Sequence, residues 1–216
     1  MDLGFGPEFD GFRAEVRAFL AENWPPADGD LKSRENERRF VLAAIDRGYL
    51  HRAVPKRFGG SEQEPDISRA EIIREEFTRA RAPSGRIPGN GRLVVPTLLE
   101  WGTEDQCAKY IPRTLTGEIR WAQGFSEPNA GSDLASLRTR AERVGHEWII
   151  NGQKIWSTGA DRATHMFMLV RTEPDASKHD GISYLFVDLK QPGVTIRPLQ
   201  QMTRLPEFCE VFFDDA

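Results

Sequence analysis

The sequence predicts an α+β protein in which an all-helical N-terminal domain is followed by an antiparallel β domain of the barrel or sandwich type. The first observation is the spacing of apolar residues, which is helical up to Gly117 and strand-like from Trp121 onward. The second is the series of short strand-like segments in the second half, separated by turn residues. The third is the composition, since 216 residues with 39% hydrophobic content suffice for buried cores. We therefore expect a helical domain over residues 1–117 and a β domain over residues 118–216.

Five helices are predicted in the first half of the chain. The apolar face of the first helix is formed by residues at helical spacing: Phe9, Phe12, Val16, Phe19 and Leu20. The other helices are marked by a start signal or an apolar run: Ser33 for the second, a capping box of Ser68 and Glu71 for the third, residues 93–101 for the fourth, and a capping box of Thr103 and Gln106 for the fifth.

The second half predicts a meander of short strands. Its first strands cover residues 139–144, 147–150 and 154–158, with turns at Gly145-His146 and at Asn151-Gly152. An Asn-Gly pair between apolar segments is the strongest short-range signal for a hairpin. The remaining strands are predicted from apolar segments: residues 166–170, 182–187, 194–199 and 211–213.

Charge, cysteine content and hydropathy exclude several classes of protein. The net charge of -4, with both signs mixed along the chain, gives no indication of nucleic-acid binding. Cys107 and Cys209 are far apart and fit no metal-ligand spacing, which favours reduced thiols and no metal site. The sequence contains no apolar run of about 18 residues, so no membrane span is predicted. Residues 1–8 lack the basic and apolar regions of a secretion signal, so a cytoplasmic location is expected.

Two segments carry the residue types that chemistry would need. A loop of small polar residues follows the apolar residues near Trp121 and offers the hydroxyls of Ser126 and Ser132 beside Gly131. A later strand carries Trp156 two residues before Thr158, so both side chains are expected on one face. A flat ring beside a hydroxyl suits a planar cofactor with polar edges. From composition alone, a solvated loop and a core tryptophan are the commoner interpretations.

The ordered motifs also resemble a known family, the acyl-CoA dehydrogenases. Ser-Glu-Pro-Asn-Ala-Gly-Ser-Asp, Asn-Gly-Gln-Lys and Trp-Ser-Thr resemble the flavin-binding middle domain of that family. Pro-Lys-Arg-Phe-Gly-Gly and Gly-Thr-Glu-Asp-Gln resemble its helical N-terminal domain. The resemblance implies FAD as cofactor and eight residues that bind it: Gln123, Phe125, Ser126, Gly131, Ser132, Trp156, Ser157 and Thr158. It also implies that Ser132 contacts the substrate.

The resemblance assigns a role to each part of this site. Backbone N–H groups around Ala130 to Ser132, with the Ser132 hydroxyl, are expected to receive the diphosphate, and Ser126 is expected to donate to the pyrimidine edge of the flavin. Trp156 is expected to stack on the ring, and Thr158 to hydrogen-bond flavin N5. We interpret Glu127 and Asp133 as structural hydrogen-bonding groups, because a free carboxylate pair beside a diphosphate would be repelled.

The activity implied by the resemblance is α,β-desaturation of acyl-CoA thioesters, with electron-transfer flavoprotein or a similar acceptor as redox partner and a homo- or hetero-oligomeric assembly. The family places its catalytic base in a C-terminal helical bundle beyond the part that these 216 residues resemble, so no catalytic residue is predicted here. We expect the chain alone to bind flavin poorly. Two alternatives stay open: a non-catalytic or partner-completed subunit, and a flavin oxidase or monooxygenase.

Overall fold

The computed structural model describes residues 6–27, 29–87 and 89–216. The first five residues of the segment expected to lack a secretion signal lie outside the described residues. Contacts within the chain group it into two compact units, Met1–Arg86 and Ile87–Ala216. The predicted boundary at 117/118 follows the change from helix to strand instead, and as a statement about domains it stays a prediction.

The described part of the first unit contains three α-helices, α1 (Asp10–Asn23), α2 (Arg34–Asp46) and α3 (Ile67–Arg79). Their core is an aromatic cluster in which the ring of Phe19 lies 5.7 Å from that of Phe40 and 5.1 Å from that of Tyr49. The predicted apolar face of α1 is confirmed for Val16, Phe19 and Leu20, which are its buried residues, whereas Phe12 is partly buried and Phe9 precedes the helix.

One predicted helix start in this unit is wrong. The carboxylate of Asp66 caps α3 by accepting a hydrogen bond from the backbone N–H of Arg69 at 2.8 Å. Ser68 therefore lies inside the first turn, and Glu71 instead pairs with Arg74 on the helix surface. Asp66 is as strong a capping residue as serine, and the carboxylate two residues earlier starts the helix.

The second unit opens with α4 (Gly91–Trp101) and α5 (Glu104–Leu115). The predicted capping box of Thr103 and Gln106 is confirmed, with both of its reciprocal hydrogen bonds present. Helix α5 is joined to the sheet because the indole N–H of Trp121 donates to the hydroxyl of Thr114 at 2.9 Å. Helices α4 and α5 therefore belong to the same compact unit as the strands.

Seven strands form one sheet in the second unit, with the order β1-β4-β2-β3-β7-β6 and β5 paired to β4. Their bounds are β1 Trp121–Gly124, β2 Arg140–Val144, β3 Glu147–Thr158, β4 His165–Arg171, β5 Ile182–Asp188, β6 Val194–Leu199 and β7 Phe208–Phe213. The helical region followed by a β region is confirmed. The sheet is mixed, however, because β1 runs parallel to β4, and β2 meets β4 in a single parallel bridge.

The hairpin predicted at Asn151-Gly152 is wrong. Strand β3 runs straight through this pair, and the only turn in the segment is at Gly145-His146, as predicted. Asn151 is the last residue of β3 to pair with β2, and Gly152 is the first to pair with β7. A Cβ at Gly152 would lie 2.7 Å from the Cα of Thr139, so glycine is required by close packing where the strand changes partner.

Helix length and hydropathy bear on membrane insertion. Among the described residues, no helix is both long and apolar enough to span a bilayer.

Candidate functional site

Five of the eight predicted cofactor-binding residues line one shallow cavity in the second unit. The cavity has a volume of about 210 Å³, and its lining comprises Gln123, Phe125, Ser126, Gly131, Leu134, Ile155 and Trp156. Three elements supply these side chains: the end of β1, the loop after it, and β3. The volume is below the range of complete small-molecule sites, so this cavity alone would not enclose a ligand of that size.

The loop after β1 is a tight turn held by two backbone hydrogen bonds. The N–H of Glu127 donates to the carbonyl of Ala130 at 2.8 Å, and the N–H of Ala130 donates back at 3.1 Å. Ala130 therefore cannot offer its N–H to a diphosphate, which corrects that part of the expected anion site. The N–H groups of Gly131 and Ser132 make no hydrogen bond with any residue that the structure describes. These two groups are the donors that the loop leaves available.

Glu127 anchors this loop from inside the unit. Its carboxylate accepts hydrogen bonds from the backbone N–H groups of Arg138 at 2.7 Å and Thr139 at 2.9 Å, and from Lys154 Nζ at 2.7 Å. Burial by itself raises the pKa of the Glu127 carboxyl, but the hydrogen bonds from Lys154, Thr139 and Arg138 together hold that pKa below its ordinary value. Glu127 is thus an ionised structural group, as the sequence predicts.

Asp133 is the second carboxylate that the sequence assigns to structure. It lies on the surface and forms an ion pair with Lys178, with Oδ1 and Nζ 2.6 Å apart. Its backbone carbonyl accepts a hydrogen bond from the Ser136 hydroxyl at 2.7 Å. Glu127 is buried and Asp133 is exposed, and each has its own basic partner, so the two carboxylates do not act as a pair.

Trp156 owes its orientation to a β-bulge. Between Lys154 and Ser157 the strand advances three residues while β7 advances only from Val211 to Cys209, so β3 holds one extra residue. Trp156 takes up the irregularity with a left-handed φ of 60°, an unusual value for a bulky residue. The residue is 58% exposed, and its ring lies perpendicular to that of Phe208, at 5.8 Å between centroids. One face of the ring system is therefore available to a ligand.

The other predicted residues lie beside the cavity, and their side chains differ in access. Ser132 and Thr158 are exposed, and their hydroxyls, like that of Ser126, have no hydrogen-bonding partner in the described ranges. Trp156 and Thr158 are both exposed, and that they contact one ligand together stays a prediction. The Ser157 side chain is fully buried and its Oγ is unpaired within the same ranges, so only its backbone could reach a ligand on the exposed side.

These residues fit a flat ring system with a polar edge and a phosphate tail. Trp156 offers a stacking face, Ser126 and Thr158 offer hydroxyls, and a Cβ added at Gly131 would meet nothing within 4 Å. The open space at Gly131 lies beside backbone N–H groups that no other part of the described chain uses. The pattern is that of a backbone cradle for an anion.

A second cavity, of about 570 Å³, lies between α4, α5 and β5 in the same unit. It is larger, and its lining includes Trp101, Tyr110, Tyr184 and Phe186, but it contains none of the predicted site residues. At the smaller cavity, the Ser126 hydroxyl and the backbone N–H of Gly131 lie beside the exposed Trp156. We therefore regard the smaller cavity as the functional one, because polar groups that converge on an apolar surface determine specificity.

Sequence reasoning missed two residues that line the cavity, Leu134 and Ile155, and did not single out Lys154. The signal for Lys154 was present: a lysine next to isoleucine in a strand, at an inward position if the alternation began at Ile150. No group of three or more metal-ligating side chains occurs within the described ranges. Cys107 and Cys209 are both buried, and neither forms a disulfide.

Comparisons with known proteins cover nearly the whole chain. The profile "Acyl-CoA dehydrogenase, N-terminal domain" covers residues 6–118, and "Acyl-CoA dehydrogenase, middle domain" covers residues 122–216. "Acyl-CoA dehydrogenase IpdE1" of Mycobacterium tuberculosis is 41% identical over an alignment of 221 positions, which covers 97% of this chain and 56% of the relative. The chain thus spans little more than half the length of this relative.

Two solved structures resemble the fold over the full length of the chain. "Tcur3481-Tcur3483 steroid ACAD" is 35% identical with a TM-score of 0.68, and the match covers 100% of this chain and 56% of that one. "ChsE4-ChsE5 complex from Mycobacterium tuberculosis" is 31% identical with a TM-score of 0.66, and the match covers 100% of this chain and 55% of that one.

Proposed function

Because this chain belongs to the acyl-CoA dehydrogenase family, we propose that it supplies the FAD-binding wall of an enzyme that desaturates acyl-CoA thioesters. The observation that carries the proposal is the convergence of Trp156, Ser126 and Gly131 on one cavity. An exposed indole, an unpaired hydroxyl and an open backbone cradle are the three features that a flavin, with its ring, polar edge and diphosphate, requires.

FAD, when bound, would accept the hydride that leaves Cβ of the thioester while a base removes the proton from Cα. The residues of this chain would bind and orient. Trp156 would cover one face of the ring and exclude water from it, and Ser126 would donate its hydroxyl to the polar edge. Gly131 and Ser132 would hold the phosphates through their backbone N–H groups. Ser132 would also meet the substrate.

Thr158 would contribute to the reaction rather than to binding alone. A hydroxyl at the ring atom that gains negative charge stabilises that charge as it develops. Its exposed position, two residues beyond Trp156, leaves the hydroxyl available for such a bond. No described residue is assigned as the catalytic base. Because this chain matches only 56% of its relative IpdE1, we propose that the base comes from the part of the family's sequence that the chain does not match.

A second candidate is a subunit that completes its site with a partner chain. The support is that two similar structures, at 35% and 31% identity, carry two-component names, and one of these names includes the word steroid. In this version the present chain would still bind the flavin, and a bulky acyl-CoA would be the substrate. Electron-transfer flavoprotein or a similar acceptor would reoxidise the enzyme in either version.

Absorbance spectroscopy of the full-length gene product, alone and with candidate partner chains, tests the proposal. We expect a flavin spectrum in the purified protein and bleaching of that spectrum under anaerobic conditions when an acyl-CoA is added. A protein that binds no FAD under any of these conditions would contradict the proposal. A bound flavin that every thioester leaves oxidised would instead favour an oxidase, a monooxygenase or a non-catalytic subunit.

A further inference from the structure

Lys154 is a fully buried lysine beside the candidate flavin cavity, yet it does not line that cavity. We propose that Lys154, paired with Glu127, is a positioning residue that holds the Ser126 loop in place against the bulge carrying Trp156. This inference rests on the proposed function, because it concerns how the two walls of the flavin site are kept in register.

Three consecutive contacts join the loop to the strand. Lys154 Nζ donates to the carboxylate of Glu127 at 2.7 Å and to the carbonyl of Phe125 at 3.3 Å. The next strand residue, Ile155, donates its backbone N–H to the carbonyl of Ser126 at 3.0 Å. Three successive loop residues are thus attached to two successive strand residues. Of these five, Phe125, Ser126 and Ile155 line the cavity, and Lys154 and Glu127 lie behind it.

The ion pair also reaches a third segment, because Glu127 accepts two further hydrogen bonds from the residues immediately before β2. The N–H groups of Arg138 and Thr139 donate to the same carboxylate at 2.7 and 2.9 Å. The Lys154 side chain is fully buried and that of Glu127 is only 8% accessible, so each charge needs the other to remain ionised at low energetic cost. The Glu127 carboxylate therefore connects the loop to strand β3 and to the residues immediately before β2.

The bulge explains why this connection controls the geometry of the site rather than only its stability. Lys154 and Ser157 are both buried although they are three residues apart, so the extra residue between them turns Trp156 outward. Any shift of Lys154 along the strand would displace the adjoining Ile155 and Trp156. The distance between the Ser126 hydroxyl and the Trp156 ring would change accordingly.

The experiment compares Lys154→Met, the double variant Glu127→Gln/Lys154→Met, and a matched control, Lys178→Met. The control removes a lysine from an ion pair of similar length, whose carboxylate, Asp133, lies on the same loop as Ser126. That pair is exposed, with Lys178 and Asp133 side chains 52% and 64% accessible. The double variant removes both buried charges, so no uncompensated charge is left. It therefore keeps the test decisive if the single variant fails to fold.

Three quantities are measured for each full-length variant: stability to urea, amide hydrogen exchange without flavin, and the dissociation constant for FAD. We expect the double variant to recover most of the stability that the single variant loses. We also expect exchange at Ile155 to accelerate at least about tenfold relative to Met168 in β4, and FAD to bind at least about tenfold more weakly, in both variants. The Lys178→Met control should stay within about twofold of the parent in both measurements.

Recovery of both stability and FAD affinity in the double variant would overturn the inference, since the pair would then be only a structural element. Unchanged exchange at Ile155 in the double variant would overturn it as well. A parent protein that binds no FAD would contradict the proposed function. Exchange at Ile155, which is measured without flavin, would still decide whether Lys154 holds the loop.

Discussion

At Gly131, the addition of a single methyl group is expected to weaken FAD binding without affecting folding. A Cβ there would meet nothing within 4 Å, and the glycine has no left-handed φ, so the chain itself does not require glycine at this position. We therefore expect Gly131→Ala to change the free energy of unfolding by less than about 0.5 kcal/mol. We expect it to weaken FAD binding about tenfold, because the methyl would stand where the phosphates approach the backbone.

The control for this prediction is Gly11→Ala in α1, where a Cβ also meets nothing within 4 Å. Alanine is the better helix former, so this variant should be as stable as the parent or more so, with FAD affinity unchanged. Isothermal titration with FAD, together with urea unfolding, measures both quantities. Full FAD affinity in Gly131→Ala would mean that nothing approaches this backbone closely.

The residues of the site were predictable from the sequence largely because they occur in a recognisable order. Serine, glycine and tryptophan occur in many loops and strands, and no spacing rule brings Ser126, Gly131 and Trp156 to one cavity. What the sequence could not predict was the complete burial of Lys154 and the bulge at Trp156. A bulge breaks the alternation of a strand by one residue, and the reason for the break lies in the pairing with β7, which is distant in sequence.

Helices were easier to predict than strands for the same reason. Their starts depend on local capping chemistry, so the box of Thr103 and Gln106 could be identified directly. Asn151-Gly152 has equally strong local chemistry for a turn, yet tertiary structure overrides it. Asn151 exchanges side-chain and backbone hydrogen bonds with Asp215, and Gly152 packs against Thr139. The pair thus serves a strand that changes partner rather than a turn.

The packing of α1 on α3 depends on one buried carboxylate, Glu76. Arg17 and Arg13 contact it at 2.5 to 3.0 Å, and Arg79 of its own helix contacts it at 3.2 Å. We expect Glu76→Gln to lower the free energy of unfolding by about 2 kcal/mol at pH 7, the scale of a hydrogen bond to a charged group. Urea unfolding followed by circular dichroism measures the loss.

The pH dependence of that loss follows from the pKa of Glu76. Burial alone would raise this pKa, but the hydrogen bonds from Arg17 and Arg13 hold it below its ordinary value. A carboxyl whose pKa is depressed by folding stabilises the fold above its unfolded pKa of about 4.3, and the contribution is lost as the pH falls through the lower, folded value. The difference between parent and Glu76→Gln should therefore shrink below about pH 4.

The control for α3 is Glu71→Gln, which removes an exposed partner of Arg74 from the same helix. It should change stability by less than about 0.5 kcal/mol at any of these pH values. A Glu76→Gln variant that is as stable as this control at pH 7 would show that the arginines do not depend on the buried carboxylate.

Taken as a whole, the molecule carries the flavin-binding wall that we propose on a sheet in which β3 pairs with both β2 and β7. The sequence profiles match nearly all of it, while the relative IpdE1 is almost twice as long. The division of labour that we propose follows from this difference. In this proposal the present residues would bind and orient the flavin, and further sequence or a partner chain would supply the base.

We propose that the exposed face of Trp156 binds the flavin, and β3 itself offers the control. Trp148 lies on the same strand and is 40% exposed, but it lies outside the cavity. The decisive measurement is the dissociation constant for FAD of the full-length Trp156→Ala and Trp148→Ala variants. Because stacking on an aromatic side chain contributes about 1–3 kcal/mol, we expect Trp156→Ala to bind FAD at least about fivefold more weakly than the parent, with Trp148→Ala unchanged. Equal affinity in the two variants would contradict the account.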